Sequence, residues 1–304
     1  MSIEIVPAEA ESLLDWHALT DALEAGHRLP QAEVGDSFLY RGADTLLNRA
    51  AWIDGLGQLV KCATIFPGNG AHGKATINGS VTLYGDQTGE LEALVDFHLV
   101  TKWKTAGDSL LAAKKLARKD SRKILLVGAG TVAASMIQAY SSSFTGAEFS
   151  VWARNPVSAK AFADAHGITA VTDLAGAVAQ ADIICTATMS KEPLIMGEWL
   201  QPGQHLDLIG AFRPDMREVD DRALTRARLF VDARATTLHH IGELMIPIAS
   251  GAISEGHIAA DFYDLGKGIY TRRSDDEITI AKNGGGAHLD LMTAAYILQA
   301  WKMR

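Results

Sequence analysis

Cysteine is nearly absent from this 304-residue chain, which holds two, Cys62 and Cys185. Each stands alone in an apolar stretch, outside any CxxC pair or Cys/His cluster. A disulfide framework and a zinc site therefore lack support, and buried structural thiols are expected. The histidines offer no better metal motif. His239 and His240 precede Glu243, but the spacing is not that of a zinc-binding HExxH helix, so no metal is expected. An excess of basic residues is missing too. Lys and Arg number 28 against 36 Asp and Glu, a formal charge of −8, which excludes a nucleic-acid backbone as the expected partner. No apolar run approaches the ~20 residues of a membrane span. The opening residues, MSIEIVPAEAESLLDW, have neither the basic start nor the apolar core of a secretory signal. A soluble, cytoplasmic protein is expected, with no membrane partner.

What is present is ample core material. Hydrophobic residues make up 48% of the chain and charged residues 21%, and the length suits two domains. Ile3 and Ile5 alternate as in a strand, and Leu13, Leu14, Trp16, Leu19 and Leu23 suggest a helix. From Phe38 to Val95 the runs TLLNRAAWI, LVKCATIF, SVTLY and LEALVDF are broken by DGLG, PGNGAHG and GDQTG, the pattern of an antiparallel sheet. A helix is expected over Leu99–Ala117, then a charged break, KDSRK. Beyond it the texture becomes alternating strand and helix. KILLVGAG, EFSVWAR, ADIICTAT, HLDLIGA and ARLFVDA read as strands of a parallel sheet, and SAKAFADAHG as a helix ending at Gly167. Glu218, Asp220 and Asp221 suit a helix start, and Asp207 and Asp232 read as structural. The expected fold class is α/β: a Rossmann doubly wound parallel sheet over 119–287, plus an α+β substrate and dimerisation domain over 1–118 and 288–304.

The run GAGTVA places Gly128, Gly130 and Ala133 in the G-x-G-x-x-A arrangement between a strand and a helix. The first glycine permits a tight turn, and the second lets backbone approach a pyrophosphate. The small third residue packs helix on strand. The helix start, Thr131 and Val132, aims unpaired amides at phosphate. Enzymes selective for NAD usually carry a carboxylate at the end of the next strand, where this chain has Trp152, Ala153, Arg154 and Asn155. A guanidinium can pair with the extra phosphate of NADPH, so Arg154 tilts the expectation to NADPH, with NADH possible.

Several segments together resemble the ornithine cyclodeaminase/μ-crystallin family: VKCATIFPGN at 60–69, TKWKTAGDSLLAAKKLAR at 101–118, the GAG turn, TATMSKEPLI at 186–195, LIGAFRPDMREVD at 208–220 and ITIAKNGGGAHLDL at 278–291. The resemblance implies a substrate domain completed by the C-terminal helix, a Rossmann domain between, and homodimers joined through the substrate domain. It implies carboxylate-binding cations at Arg41, Lys61 and Lys104, with Arg49 a rival to Arg41. It also implies nicotinamide-side contacts from Thr186, Ala187, Thr188, Gly210, Phe212 and Lys282. There are three departures. Lys104 stands where the family commonly has Arg. Arg49-Ala50 replaces a usual Met-Pro, and the added cation would suit a second substrate carboxylate. Phe212 occupies the place of the aspartate that serves cyclodeaminases as a base, and it can neither ionise nor accept a proton.

The chemistry so implied is reduction of a C=N bond beside a carboxylate. Lys61 and Arg41 would grip the carboxylate, and Lys61, desolvated near other cations, would donate a proton to nitrogen. The expected substrate is a small 2-imino acid, a cyclic ketimine such as Δ1-pyrroline-2-carboxylate, giving L-proline. The alternatives are an acyclic imino acid reductase forming aspartate or alanine, a cyclodeaminase-type lyase, and a dinucleotide- or ligand-binding protein without turnover.

Overall fold

A computed structural model describes residues 3–304, which divide into two compact units. The first runs to Lys104 and takes back Gly286–Arg304; the second is Thr105–Gly285. The chain enters through β1 (Glu4–Val6), a 3-10 turn, and α1 (Trp16–Gly26). Asp15 caps α1 by accepting the Ala18 amide at 2.8 Å. That cap starts the helix after Leu13 and Leu14, which the apolar spacing had included in it. Next come β2 (Glu33–Arg41), β3 (Asp44–Ile53), β4 (Gly57–Ile65), β5 (Ile77–Tyr84) and β6 (Leu91–Val95). They form an antiparallel meander, with β1 parallel to β6 at one edge and β2 at the other.

Alternation sets the faces of this sheet. Leu59, Lys61 and Ala63 of β4 are buried while Val60 is exposed. Strand β2 had no such signal, because it is exposed along its whole length. Cys62, expected to be buried, sits on the Val60 side and is only half-covered, one residue out of phase with the core.

α2 (Phe97–Leu116) then leads to the second unit, and the division falls inside it rather than at the charged break. The reason lies in its second half. The Ser109 carbonyl accepts from Tyr140, and the Leu116 carbonyl accepts from Arg272 and Thr279, so these turns are tied to the nucleotide unit.

That unit strings together β7 (Lys123–Val127), α3 (Thr131–Ser143), β8 (Glu148–Trp152), α4 (Pro156–His166), β9 (Thr169–Ala170), α5 (Leu174–Gln180), β10 (Ile183–Thr186) and β11 (His205–Leu208). It continues with α6 (Asp221–Arg226), β12 (Arg228–Val231), α7 (Arg234–Thr237), α8 (Gly242–Ala249), β13 (Ile258–Ala260) and β14 (Thr279–Lys282). The eight strands are all parallel, in the order β13-β12-β14-β11-β10-β7-β8-β9. Leu125, Val127, Ile184, Leu206, Leu208 and Ile280 are buried in it, as strands covered on both faces require. This is the doubly wound Rossmann fold. Strand order reverses between β7 and β10, and the carboxyl ends of those two strands mark where such sheets bind ligands.

The chain ends in α9 (Ala287–Lys302), which belongs to the first unit. Residues 287–294 are all buried, and that carries His288 and Asp290 inside along with Leu289 and Leu291. Among the described residues no helix is long and apolar enough to cross a membrane.

Candidate active site

The glycine turn lies at the switch point. Gly128 follows β7 with φ of +117°, a conformation that L side chains rarely adopt, and a Cβ there would stand 2.6 Å from the Ala187 carbonyl oxygen. The turn is held against the end of β10 by the Ala187 amide, which donates to Val127 O at 2.8 Å. Gly130 is the N-cap of α3, with no side chain capping the helix and open space where a Cβ would be. The first amides of α3, from Thr131 and Val132 onward, therefore have no partner within the helix and no cap. An uncovered helix start behind a positive-φ glycine is a fit for the linked phosphates of a dinucleotide. Arg154 is exposed just beyond β8. Asn155 caps α4 through its side-chain oxygen, which accepts the Val157 amide at 2.9 Å, leaving only its NH2 group for a ligand.

Beneath the ends of β10 and β11 sits a fully buried carboxylate, Glu218. One oxygen accepts from the Thr188 amide and hydroxyl, the other from the Thr186 hydroxyl and the Gly210 and Ala211 amides, all at 2.7–3.2 Å. Of the three acids expected to open a helix, Asp220 and Asp221 do so, with Asp220 accepting from Ala223, and Glu218 does not. Lys282 is likewise not free to touch a ligand. It is buried and donates to the carbonyls of Leu208, Ala211 and Asn283, so its three hydrogens hold the turn that carries Gly210 and Phe212. Glu243 accepts the Glu218 and Val219 amides, and burial next to Glu218 pushes its carboxyl up to about 7. Both of its oxygens are thus committed to backbone amides, and the described residues contain no group of three His, Cys, Asp or Glu placed to hold a metal. Phe212 points outward and is exposed.

The cation cluster belongs to the first unit. Arg49 and Lys61 are directly opposite each other on β3 and β4, so their side chains share a face. The Lys61 ammonium donates to Asp290 of α9 at 2.8 Å, and both groups are buried. It also lies over the Phe97 ring, 4.9 Å from its centre. Arg49 forks onto Asp36 of β2, its cross-strand neighbour, at 2.6 and 3.3 Å. Lys104 extends from α2 beside Trp103, which is buried and stacked on Trp16 at 3.8 Å. Lys104 has no ion pair among the described residues, yet its charge is felt by Lys61, Asp290 and His288. Burial lowers the Lys61 ammonium, and the Lys104 and Arg49 charges add to that against the opposing pull of Asp290. Burial would raise Asp290, but Lys61, Lys104 and Arg49 outweigh it and hold the carboxyl below its ordinary range. Burial, then Lys104, brings His288 down to about 4, so it is neutral.

Residues 54–304 match the ornithine cyclodeaminase/mu-crystallin family. The chain belongs to that family. It is 52% identical over 296 residues to a Delta(1)-pyrroline-2-carboxylate reductase of Paracoccus denitrificans, covering 95% of this chain and 94% of that one. Among solved structures it resembles the Delta(1)-pyrroline-2-carboxylate reductase of Thermococcus litoralis in complex with NADH and L-proline, at TM-score 0.89, 26% identity and coverage of 99% and 98%. It also resembles the iminosuccinate reductase of Paracoccus denitrificans in complex with NAD+, at TM-score 0.89, 25% identity and coverage of 99% and 97%.

For this member of the cyclodeaminase/mu-crystallin family, the fold brings Lys61 and Lys104 together with Arg49, and leaves Arg41 out. Arg41 pairs with Asp44 at 2.8 Å at the far tip of the β2–β3 hairpin, with 79% of its side chain exposed. It is five residues from Asp36, about 17 Å along a strand, and an odd step puts it on the opposite face. Of the two rival arginines, Arg49 is thus the one in the cluster. Asp36, His288 and Asp290 belong to the cluster without having been singled out in the sequence. Asp290 was the most legible of them, since a carboxylate one residue from Leu289 and Leu291 on an apolar helix needs a buried partner.

Proposed function

We propose that this protein reduces a 2-imino acid, with a cyclic ketimine such as Δ1-pyrroline-2-carboxylate as substrate and L-proline as product, using NADPH, with NADH as a weaker substitute. The observation that carries this reading is the buried Lys61–Asp290 pair set among further cations. A nicotinamide dinucleotide, held by Gly128, Gly130 and the first amides of α3, supplies the hydride when bound. This chain's own residues do the rest. Lys104, the cation without an ion-pair partner among the described residues, is the seat for the substrate carboxylate. Lys61, its ammonium lowered by burial and held by Asp290, keeps a proton available for the imine nitrogen. Glu218 and Lys282 fix the ends of β10 and β11, so the Thr186–Thr188 and Gly210–Phe212 backbones are rigid supports for the cofactor.

Phe212 offers no base, which speaks against a lyase. The NADPH preference rests on Arg154, exposed at the end of β8 with no carboxylate beside it in the sequence. A homodimer is supported by β2, an edge strand whose Val34, Phe38, Leu39 and Tyr40 are all exposed. Light scattering that returns the monomer mass would remove that part.

The deciding assay follows NADPH oxidation with Δ1-pyrroline-2-carboxylate, with 2-oxo acids plus ammonia, and with ornithine. Oxidation with the cyclic ketimine supports the proposal. Ammonia release from ornithine without net NADPH use, or no reaction with any substrate, overturns it. In the same assay Arg154→Ala should raise KM for NADPH about tenfold more than KM for NADH; equal effects would assign Arg154 elsewhere.

A further inference from the structure

The charges of the cluster can be counted. Three cations, Arg49, Lys61 and Lys104, stand with two carboxylates, Asp36 and Asp290. His288 adds nothing at neutral pH, since burial keeps it uncharged. The remaining imbalance is one positive charge, carried by Lys104. One substrate carboxylate neutralises it.

A second carboxylate would meet an Arg49 already forked onto Asp36 by both of its facing nitrogens. It would have to displace Asp36, or sit as an unbalanced anion in a partly desolvated site, which is disfavoured either way. The sequence alone suggested the reverse, that Arg49 is an added cation for a dicarboxylate. The fold cancels it, because residues 36 and 49 are cross-strand partners on one face.

We propose that Asp36 is a specificity-determining residue: by holding Arg49 it restricts this site to acids with one carboxylate. The proposal rests on the reductase reading for its substrate class, though the charge count itself concerns only binding. Freeing Arg49 should open the site to a dicarboxylate with the Lys61–Asp290 contact and Lys104 still in place.

The test compares wild type, Asp36→Asn, Asp36→Ser and the double variant Asp36→Asn/Arg49→Leu. Two quantities are read. The first is the ratio of kcat/KM for the imine formed from oxaloacetate and ammonia to that for Δ1-pyrroline-2-carboxylate. The second is the calorimetric affinity ratio of L-aspartate to L-proline. Both ratios should rise about tenfold or more in the single variants and fall back in the double variant, as expected when a partly desolvated site gains and then loses a partner for a second carboxylate. Ratios within about twofold of wild type in both single variants, or a gain that survives loss of Arg49, would overturn the proposal. If no imine is turned over by any of the proteins, the reductase reading fails. The aspartate-to-proline affinity ratio then still decides the role of Asp36.

Discussion

Replacing Asp290 by Asn keeps the size of the side chain and removes one charge from a pair in which Asp290 is fully buried and Lys61 only 6% exposed. Two unit charges 2.8 Å apart interact by about 6 kcal/mol at an effective dielectric near 20. The net loss on breaking such a pair from one side is smaller, about 3–5 kcal/mol, because the charges were also desolvated. Lys61 has a way to limit the loss, which is to give up its proton. Burial, Lys104 and Arg49 already push it that way, and Asp290 is the opposing influence. In the Asp290→Asn variant Lys61 would therefore deprotonate at lower pH. If Lys61 supplies the proton, the rate falls as pH rises through its pKa, so the basic limb of the kcat/KM profile should move down. A shift of more than about one pH unit is expected, since each unit corresponds to about 1.4 kcal/mol. The substrate's own ionisation is common to both proteins and drops out of the comparison. Urea unfolding beside the pH profile separates the two roles. A stability loss with an unmoved profile would make the pair structural. An unmoved profile with less than about 1 kcal/mol of stability lost would refute the reasoning altogether.

Gly128→Ala should abolish dinucleotide binding, since the new Cβ meets the Ala187 carbonyl at 2.6 Å and φ is +117°. A fluorescence titration giving a Kd within about threefold of wild type would contradict the assignment of the turn. His205 is fully buried with its Nδ1 on Thr279, and burial lowers it to about 3. Above its ordinary value the neutral ring is present in both states. As pH falls below about 6.5 the unfolded chain takes up a proton that the fold refuses, so stability declines towards pH 3, by about 3 kcal/mol at pH 4. His205→Gln should flatten that decline in urea titrations at pH 7 and 4, and an unchanged slope would exclude His205 as its source.

The nucleotide unit was readable because its signals are local. Continuous apolar strands, glycines at the ends of strands, and an uncapped helix start all lie within a few residues of one another, and Gly128–Gly130 stand where the spacing put them. The meander was readable from β3 to β6, where turn residues separate alternating runs. Strand β2 was not, because an edge strand exposed on both faces has no hydrophobic period. The cluster was half-legible for a related reason. Lys61 and Lys104 came from a resemblance of motif, but their partners depend on pairing across the chain. Asp290 is 229 residues from Lys61, and Asp36 reaches Arg49 only through the register of a hairpin that was not foreseen. Arg41 and Lys282 show the converse. Both match family motifs in the sequence, yet Arg41 sits five residues too far along the strand with the wrong parity, and Lys282 has its hydrogens committed to backbone.

The departures from the family pattern become consistent when the protons are counted. Cyclising deamination needs a base at the reacting carbon as well as an acid for the departing nitrogen. Reduction of an imine needs a hydride, which the dinucleotide brings, and one proton. On the proposed reading, a single lysine whose ammonium is destabilised by burial and steadied by one carboxylate would supply that proton. An aspartate at position 212 would be a second titratable group with nothing to do in that reaction, and Phe212 removes it without loss. Lys104 follows the same logic. With Arg49 forked onto Asp36, a compact ammonium at Lys104 would supply the single balancing charge that the proposed reading needs. A second free guanidinium fork is not required to hold one small carboxylate.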